Sequence, residues 1–336
     1  MVYSGTTFRG DSNGDIVATK FARDALAPNE VLVNITHSGL CGTDLHFLHA
    51  DIVLGHEGVG VVQEVGSEVK RFKVGDRAGW GYIQETCRSC TPCLDGKDQY
   101  CLSKGMYFES RTDQGSMGEI AILPDQWLFH IPESLSSAAA APLMCGGSTV
   151  FTPLAESIRP TERVGVIGIG GLGHLAIQMA SKMGCVVVVF SGTESKRDEA
   201  IKLGASEFYA TKGVEDFSTL GVKHKLTSLL ITTAQIPDLK PYFANLLAPN
   251  AKVFPLTGGF FPKIEIPYDI MIFQGISVIG SNLASRKTHM EMLEFCAHNK
   301  IAPMIEEFPM TKEGITEAVQ KLEAGKMRYR GVLVAQ

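Results

Sequence analysis

The sequence predicts an α/β protein of two parts: a β-rich region over about the first 145 residues, then a doubly wound parallel sheet. Three observations carry this. The chain has 336 residues, more than one hydrophobic core usually organises. Its first part consists of short β-branched runs broken by Gly, Pro and Asp. From about residue 146 the rhythm changes to strand, glycine loop, helix.

In the first part EVLVNITHSG (30–39), GVGVVQEVG (58–66) and GEIAILP (118–124) are too short and too β-branched for helices. They predict antiparallel, barrel-like packing. In the second part RVGVIG (163–168) is a buried strand, LGHLAIQMASKMG (172–184) a helix with one apolar face, and CVVVVF (185–190) the next strand. SKRDEAIKLG (195–204) is helical, and EFYA, SLLITT, AKVFPL and ISVIG continue as strands. Beyond about residue 285, HMEMLEFCAHNK and GITEAVQKLEAG read as amphipathic helices before a terminal strand, GVLVA.

A net charge of −5 with 20% charged residues gives no general attraction to nucleic acid or anionic membrane. No apolar run reaches the roughly 18 residues of a bilayer span, and MVYSGTTFRGDSNGD lacks a signal-peptide core. A cytoplasmic location is expected, where the eight cysteines stay reduced and clusters of them point to metal or catalysis.

Residues 87–101 read CRSCTPCLDGKDQYC, placing Cys87, Cys90, Cys93 and Cys101 in a C-x2-C-x2-C-x7-C pattern. Short Cys-x2-Cys steps let thiolates converge on one tetrahedral ion, and the longer segment returns the fourth ligand. Four protein ligands leave no open position, so the expected group is a structural zinc; a disulfide pair and an iron–sulfur cluster are the weaker alternatives.

The strand RVGVIG runs into Gly168, Gly170 and Gly173, a G-x-G-x-x-G pattern that also contains Gly171 and Leu172 and opens a helix. In that context Gly168 permits the tight turn, Gly170 lets a pyrophosphate approach the backbone, and Gly173 lets helix and strand pack closely. Where an NAD site usually carries an acidic residue on the ribose, this chain has Ser191, with Thr193, Lys196 and Arg197 following. Hydroxyls and cations suit a 2′-phosphate, so NADP(H) is expected over NAD(H); Glu194 is a like charge that must turn away.

Taken together, CGTDLH (41–46), GHEGVG (55–60), the four-cysteine loop, CGGST (145–149), GIGGLGH (168–174) and RYRGVLV (328–334) resemble the zinc-dependent medium-chain alcohol dehydrogenases, in their cinnamyl alcohol dehydrogenase-like branch. The resemblance runs over nearly the whole chain. It implies a GroES-like catalytic domain (1–145 and 285–336) carrying the structural-zinc lobe 87–101, and a Rossmann NADP-binding domain (146–284). It implies a second, catalytic zinc held by Cys41, His56 and Cys145, with Glu57 close enough to coordinate at times and Asp44 orienting the histidine. Two thiolates and an imidazole leave a fourth position open. Thr43 and His46 match a proton relay, a hydroxyl that both donates and accepts and an imidazole that titrates near neutrality. Thr149, Ser281 and Asn282 match positions beside the nicotinamide, and Arg330 one that meets the pyrophosphate, with Arg328 nearby. The implied reaction is hydride transfer between NADP(H) and an aldehyde or primary alcohol, on a small-molecule substrate, in a homodimer.

One departure stands out. Only 14 residues separate Cys41 from His56, fewer than the family usually has, so FLHADIV alone must form the loop at the substrate entrance. The segment GMYFESRTDQG (105–115) is the candidate to cover it, and His49 and Asp51 read as surface residues of the short loop. Gly42 stands where the family commonly has His or Arg. Reduction of a conjugated C=C or C=N bond is the alternative chemistry, favoured by a weakened relay. A non-catalytic zinc- or nucleotide-binding relative is the alternative of another class, favoured by decayed ligands.

Overall fold

The computed structural model describes residues 2–257 and 263–336. The chain divides into two compact units, one running to Ser148 and resuming at Ala284–Gln336, the other Thr149–Leu283.

In the first unit the strand Glu30–Leu40 is the hub, buried along most of its length. It pairs antiparallel with Gly58–Val65, with Ile120–Pro124 and with Arg330–Val334. Arg77–Trp80 extends the sheet beyond Gly58–Val65, and Ile305–Pro309 extends it beyond Arg330–Val334. The core beneath is aliphatic, with Val31, Val33, Ile35, Leu54, Val62, Trp80 and Leu333 buried. This antiparallel register has a functional consequence. Leu40 lies opposite Gly331, and Ser38 opposite Gly58. The segment leaving the hub at Cys41, the segment entering at His56–Glu57 and the strand opening at Arg330 therefore meet at one end of the sheet.

An N-terminal hairpin, Tyr3–Gly10 with Ile16–Arg23, was not legible as such in the sequence. It holds the short loop: the Leu54 amide donates to the Phe8 carbonyl at 2.8 Å, and Arg9 forms an isolated bridge with Val53.

The second unit is a six-stranded, all-parallel sheet. Numbered by chain order from Arg163–Ile167, its strands lie in the order 3-2-1-4-5-6, the doubly wound arrangement whose ligand crevice lies beyond the carboxyl ends of the strands. Val187, Val188, Val189 and Phe190 are fully buried, as expected for a strand covered on both faces.

The expectation that no apolar run is long enough for a membrane span needs a correction. The helical run Ser137–Ser157 is long and apolar enough to cross a bilayer, but 83% of its most apolar stretch is buried inside the protein, as in a core helix. Ser136 caps it, its hydroxyl accepting from the Ala139 amide. Pro142, which has no N–H to donate to an earlier carbonyl, precedes a widened turn over Leu143–Gly147 that carries Cys145.

Candidate active site

Two groups of metal-ligating side chains stand out among the described residues: Cys87, Cys90, Cys93 and Cys101, and Cys41, His56, Glu57 and Cys145. Within each group the ligand atoms lie within 4.8 Å of one another.

In the four-cysteine loop, Sγ–Sγ separations are 3.5 Å for Cys90–Cys93, 3.5 Å for Cys87–Cys101 and 3.8 Å for Cys90–Cys101. A tetrahedral ion with S–metal bonds of ~2.3 Å has sulfur–sulfur edges of about 3.8 Å, whereas a disulfide needs ~2.05 Å. All four thiols are free. Backbone amides of Ser89 and Cys90 pull the Cys87 thiol down to about 6, while burial and its neighbouring thiols push Cys93 up to about 12. Four sulfurs converging at these separations fit zinc. The loop is anchored by Asp98, whose carboxylate accepts the Arg286 amide at 3.0 Å and its Nε at 2.5 Å.

The second group is assembled from three segments. Cys41 precedes the short helix Gly42–Leu45; His56 and Glu57 precede the strand Gly58–Val65; Cys145 sits in the widened turn. His56 is fully buried, and its Nδ1 hydrogen-bonds Asp44 Oδ1 at 2.9 Å. The other Asp44 oxygen accepts the Cys41 amide at 2.9 Å, so one carboxylate orients two of the candidate ligands. His56 Nε2 has no hydrogen-bond partner among the described residues. An orphaned, buried ring nitrogen facing two sulfurs is what a three-ligand metal site looks like before the ion is added. The hydrogen bond between the two thiols lowers Cys41 well below the ordinary thiol range and raises Cys145. Both cysteines keep part of their surface exposed, leaving one side of the group open.

Glu57 lies in the ligand group and is paired with Arg330. Arg330 is buried, and its Nη2 donates to both Glu57 oxygens, each at 2.5 Å. The guanidinium thus meets Glu57 through Nη2, while its Nε has no hydrogen-bond partner among the described residues. Glu57 is likewise committed to Arg330, although burial pushes its carboxyl up to about 7 against the pull of that cation. Gly39 makes the pair sterically feasible, because a Cβ there would lie 2.0 Å from Glu57 Oε2.

Thr43 lies on the short helix with Oγ1 3.7 Å from Cys41 Sγ, and His46, at the end of that helix, is exposed. His49 and Asp51 turn away toward the N-terminal hairpin, His49 contacting the Ser12 carbonyl at 3.2 Å and Asp51 the Arg9 guanidinium at 3.5 Å.

Sequence reasoning missed the aromatic wall. Tyr82 packs edge-on against the His56 ring at 5.3 Å, and Tyr107 lies 5.6 Å from it. Phe47, from the short loop, stacks on Phe108 at 5.2 Å, and the Tyr107 hydroxyl donates to the Val53 carbonyl at 2.7 Å. The segment expected to cover the shortened loop is thus bonded to it. The signal was the pair Tyr107–Phe108 in an otherwise polar stretch.

In the second unit Gly168 adopts φ +93, and a Cβ on Gly173 would lie 2.0 Å from the Gly168 carbonyl oxygen. Nothing lies within 4 Å of where a Gly170 Cβ would stand, an open cradle that fits a phosphate group. Gly171 and Leu172 complete the loop ahead of the helix Gly173–Lys182. Lys196 Nζ donates to the Ile169 carbonyl at 2.7 Å, which brings a cation to the glycine loop. Thr193 and Ser195 hydroxyls are 2.9 Å apart near the end of the strand Val186–Ser191. Arg197 is paired with Glu194 at 2.6 Å and lies over the Phe208 ring at 4.8 Å, so the unwelcome carboxylate is neutralised locally. Thr149 is buried, Asn282 exposed, and the Ser281 hydroxyl is buried without a partner among the described residues.

Comparison with known proteins agrees with this architecture. Residues 27–133 match the alcohol dehydrogenase GroES-like domain family, and residues 171–298 the zinc-binding dehydrogenase family. An NADP-dependent alcohol dehydrogenase of Mycolicibacterium smegmatis is 35% identical over 95% of this chain and 94% of its own length. A probable cinnamyl alcohol dehydrogenase of Populus deltoides is 34% identical over 96% and 93%. Among solved structures, a cinnamyl alcohol dehydrogenase of Sorghum bicolor superposes with a TM-score of 0.88 at 29% identity, covering 99% of this chain and 98% of that one. The chain belongs to the zinc-dependent medium-chain alcohol dehydrogenases, in the cinnamyl alcohol dehydrogenase-like branch.

Proposed function

We propose that this protein interconverts an aldehyde and its primary alcohol by hydride exchange with NADP(H), using one catalytic and one structural zinc per chain. The observation that carries the reading is the convergence of Cys41, Cys145 and the orphaned Nε2 of His56. Those three residues hold the catalytic ion, and Cys87, Cys90, Cys93 and Cys101 the structural one. Two thiolates and a neutral imidazole cancel the charge of a divalent ion, while Glu57 and Arg330 cancel each other.

Bound zinc supplies a Lewis acid for the substrate oxygen, and bound NADPH supplies the hydride. The chain's residues do the rest. Asp44 fixes the His56 tautomer by accepting from Nδ1, leaving Nε2 as the ligand atom. Arg330 holds the Glu57 carboxyl beside the three ligands by donating to both of its oxygens. The Thr43 hydroxyl gives a proton to the substrate oxygen and regains one along a relay whose outer end is His46, at the exposed helix end, which exchanges protons with water. Phe47, Tyr82 and Phe108 offer an apolar face that excludes water from the reacting carbon.

For the cofactor, Gly168, Gly170, Gly171, Leu172 and Gly173 form the pyrophosphate cradle, and Ser191, Thr193, Lys196 and Arg197 the 2′-phosphate end. A cytoplasmic homodimer completes the reading. It is supported by the sheet edge Ser277–Val278 and by Tyr268 and Phe273, exposed at 67% and 87% on the preceding helix. The test is oxidation of NADPH and NADH against aliphatic, aromatic and α,β-unsaturated carbonyls. Turnover of a saturated aldehyde with NADPH is expected; activity confined to the conjugated C=C bond would reject it.

A further inference from the structure

The short loop FLHADIV (47–53) is held along two edges by parts of the chain that lie outside both groups of metal-ligating side chains. On one edge stands the N-terminal hairpin. Arg9 donates from Nη1 to the Asp51 carbonyl at 3.1 Å and lies 3.5 Å from the Asp51 carboxylate, and its backbone bridges Val53. Gly10 lets the two backbones touch, since a Cβ there would collide with the Leu48 carbonyl oxygen. His49 reaches the Ser12 carbonyl, in the turn of the hairpin, at 3.2 Å. On the other edge Val53 is bonded twice. Its amide donates to the Thr112 carbonyl at 3.0 Å, and its carbonyl accepts the Tyr107 hydroxyl at 2.7 Å. Tyr107 is fully buried, and its ring meets Phe47 edge-on at 5.7 Å.

Segments that move aside for a ligand come from the weakly bonded end of a structure, and a loop tied at both edges does not belong there. Phe47 therefore stays stacked on Phe108, and the apolar face they form keeps one width. The turn that carries Thr43 is anchored separately, by Asp44 through the Cys41 amide and His56, so it does not depend on the hairpin. We infer that the N-terminal hairpin is a specificity element of this enzyme: Arg9, with Tyr107 opposite, straps the loop so that the site admits slim unbranched aldehydes and rejects broad ring-fused ones. Both are positioning residues that act through Phe47. The inference rests on reading Phe47 and Phe108 as part of the face that meets the substrate.

The test uses the full-length, zinc-loaded protein with NADPH and two probes, hexanal and 1-naphthaldehyde, with the alcohols measured by chromatography. Arg9→Met should leave kcat and KM for hexanal within about twofold and raise kcat/KM for 1-naphthaldehyde about tenfold, the factor that one hydrogen bond from a charged group supplies. Arg9→Lys, which keeps a cationic donor, should stay near wild type, and Tyr107→Phe should shift the ratio of the two aldehydes in the same direction as Arg9→Met. Amide hydrogen exchange at Val53 and Leu54 reads the strap itself, slow in the wild type and faster in Arg9→Met and Tyr107→Phe. An unchanged ratio, an equal loss for both aldehydes, or rapid exchange at these amides in the wild type would overturn the strap. A wild type that reduces neither aldehyde, with the amides still slow, would instead reject the reaction proposed above, and the specificity role with it.

Discussion

Replacing Asp44 by Asn changes one oxygen to an amide nitrogen at the point where the catalytic group is organised. Asp44 is buried, and each of its oxygens accepts one bond, from His56 Nδ1 and from the Cys41 amide, both at 2.9 Å. Asparagine has one acceptor, so one of these buried donors must face an N–H. Leaving a buried donor unsatisfied costs about 1–3 kcal/mol. Loss of a group that orients a metal-bound histidine typically costs ~10–100-fold in metal affinity, about 1.4–2.8 kcal/mol, which agrees. The assay is zinc competition with a chromogenic chelator, in which the four-cysteine site serves as internal reference. One zinc per chain should weaken by that factor while the other is unmoved. Equal affinity in the variant, or a parallel loss at both sites, would refute the role given to Asp44.

Other outcomes follow from the same geometry. Arg330→Met leaves Glu57 buried without its cation and should cost about 3–5 kcal/mol in urea denaturation, with most of it recovered by adding Glu57→Gln; additive losses would contradict the pairing. Lys196→Ala should raise the Kd of NADPH far more than that of NADH, measured by titration, and equal loss would defeat the 2′-phosphate assignment. His289 is buried against Phe129 at 3.9 Å, and burial lowers it to about 3. Its folded value lies below its unfolded value of ~6.5, so the unfolded chain binds the extra proton. The stability is intact above pH ~6.5 and falls by about 1.4 kcal/mol per pH unit below it, about 2 kcal/mol by pH 5. His289→Leu should flatten that slope in denaturation curves at pH 7 and 5, and an unchanged slope would exclude His289 as its source.

What the sequence disclosed followed how local each signal is. The four-cysteine loop closes within 15 residues, and the glycine loop is one strand–helix turn, so spacing and residue type sufficed for both. Cys41, His56 and Cys145 are brought together only by strand pairing and a widened helical turn, and became legible through resemblance to a family. That Arg330 pairs with Glu57 was not legible, because the two lie 273 residues apart and meet only through the sheet. The aromatic wall and the N-terminal hairpin's hold on the short loop are long-range packing and were invisible. The compressed loop itself was visible; that its Phe47 stacks on Phe108 was not.

The central claim is that two separate metal groups in this chain hold zinc and that one of them is catalytic. Metal analysis of purified wild type and of Cys145→Ser, with turnover and melting measured on the same samples, tests it most directly. The expected result is two zinc ions per chain in the wild type and one in the variant, with turnover abolished and the fold retained. A fully active wild type containing one zinc, or a variant that keeps two and still turns over, would contradict it.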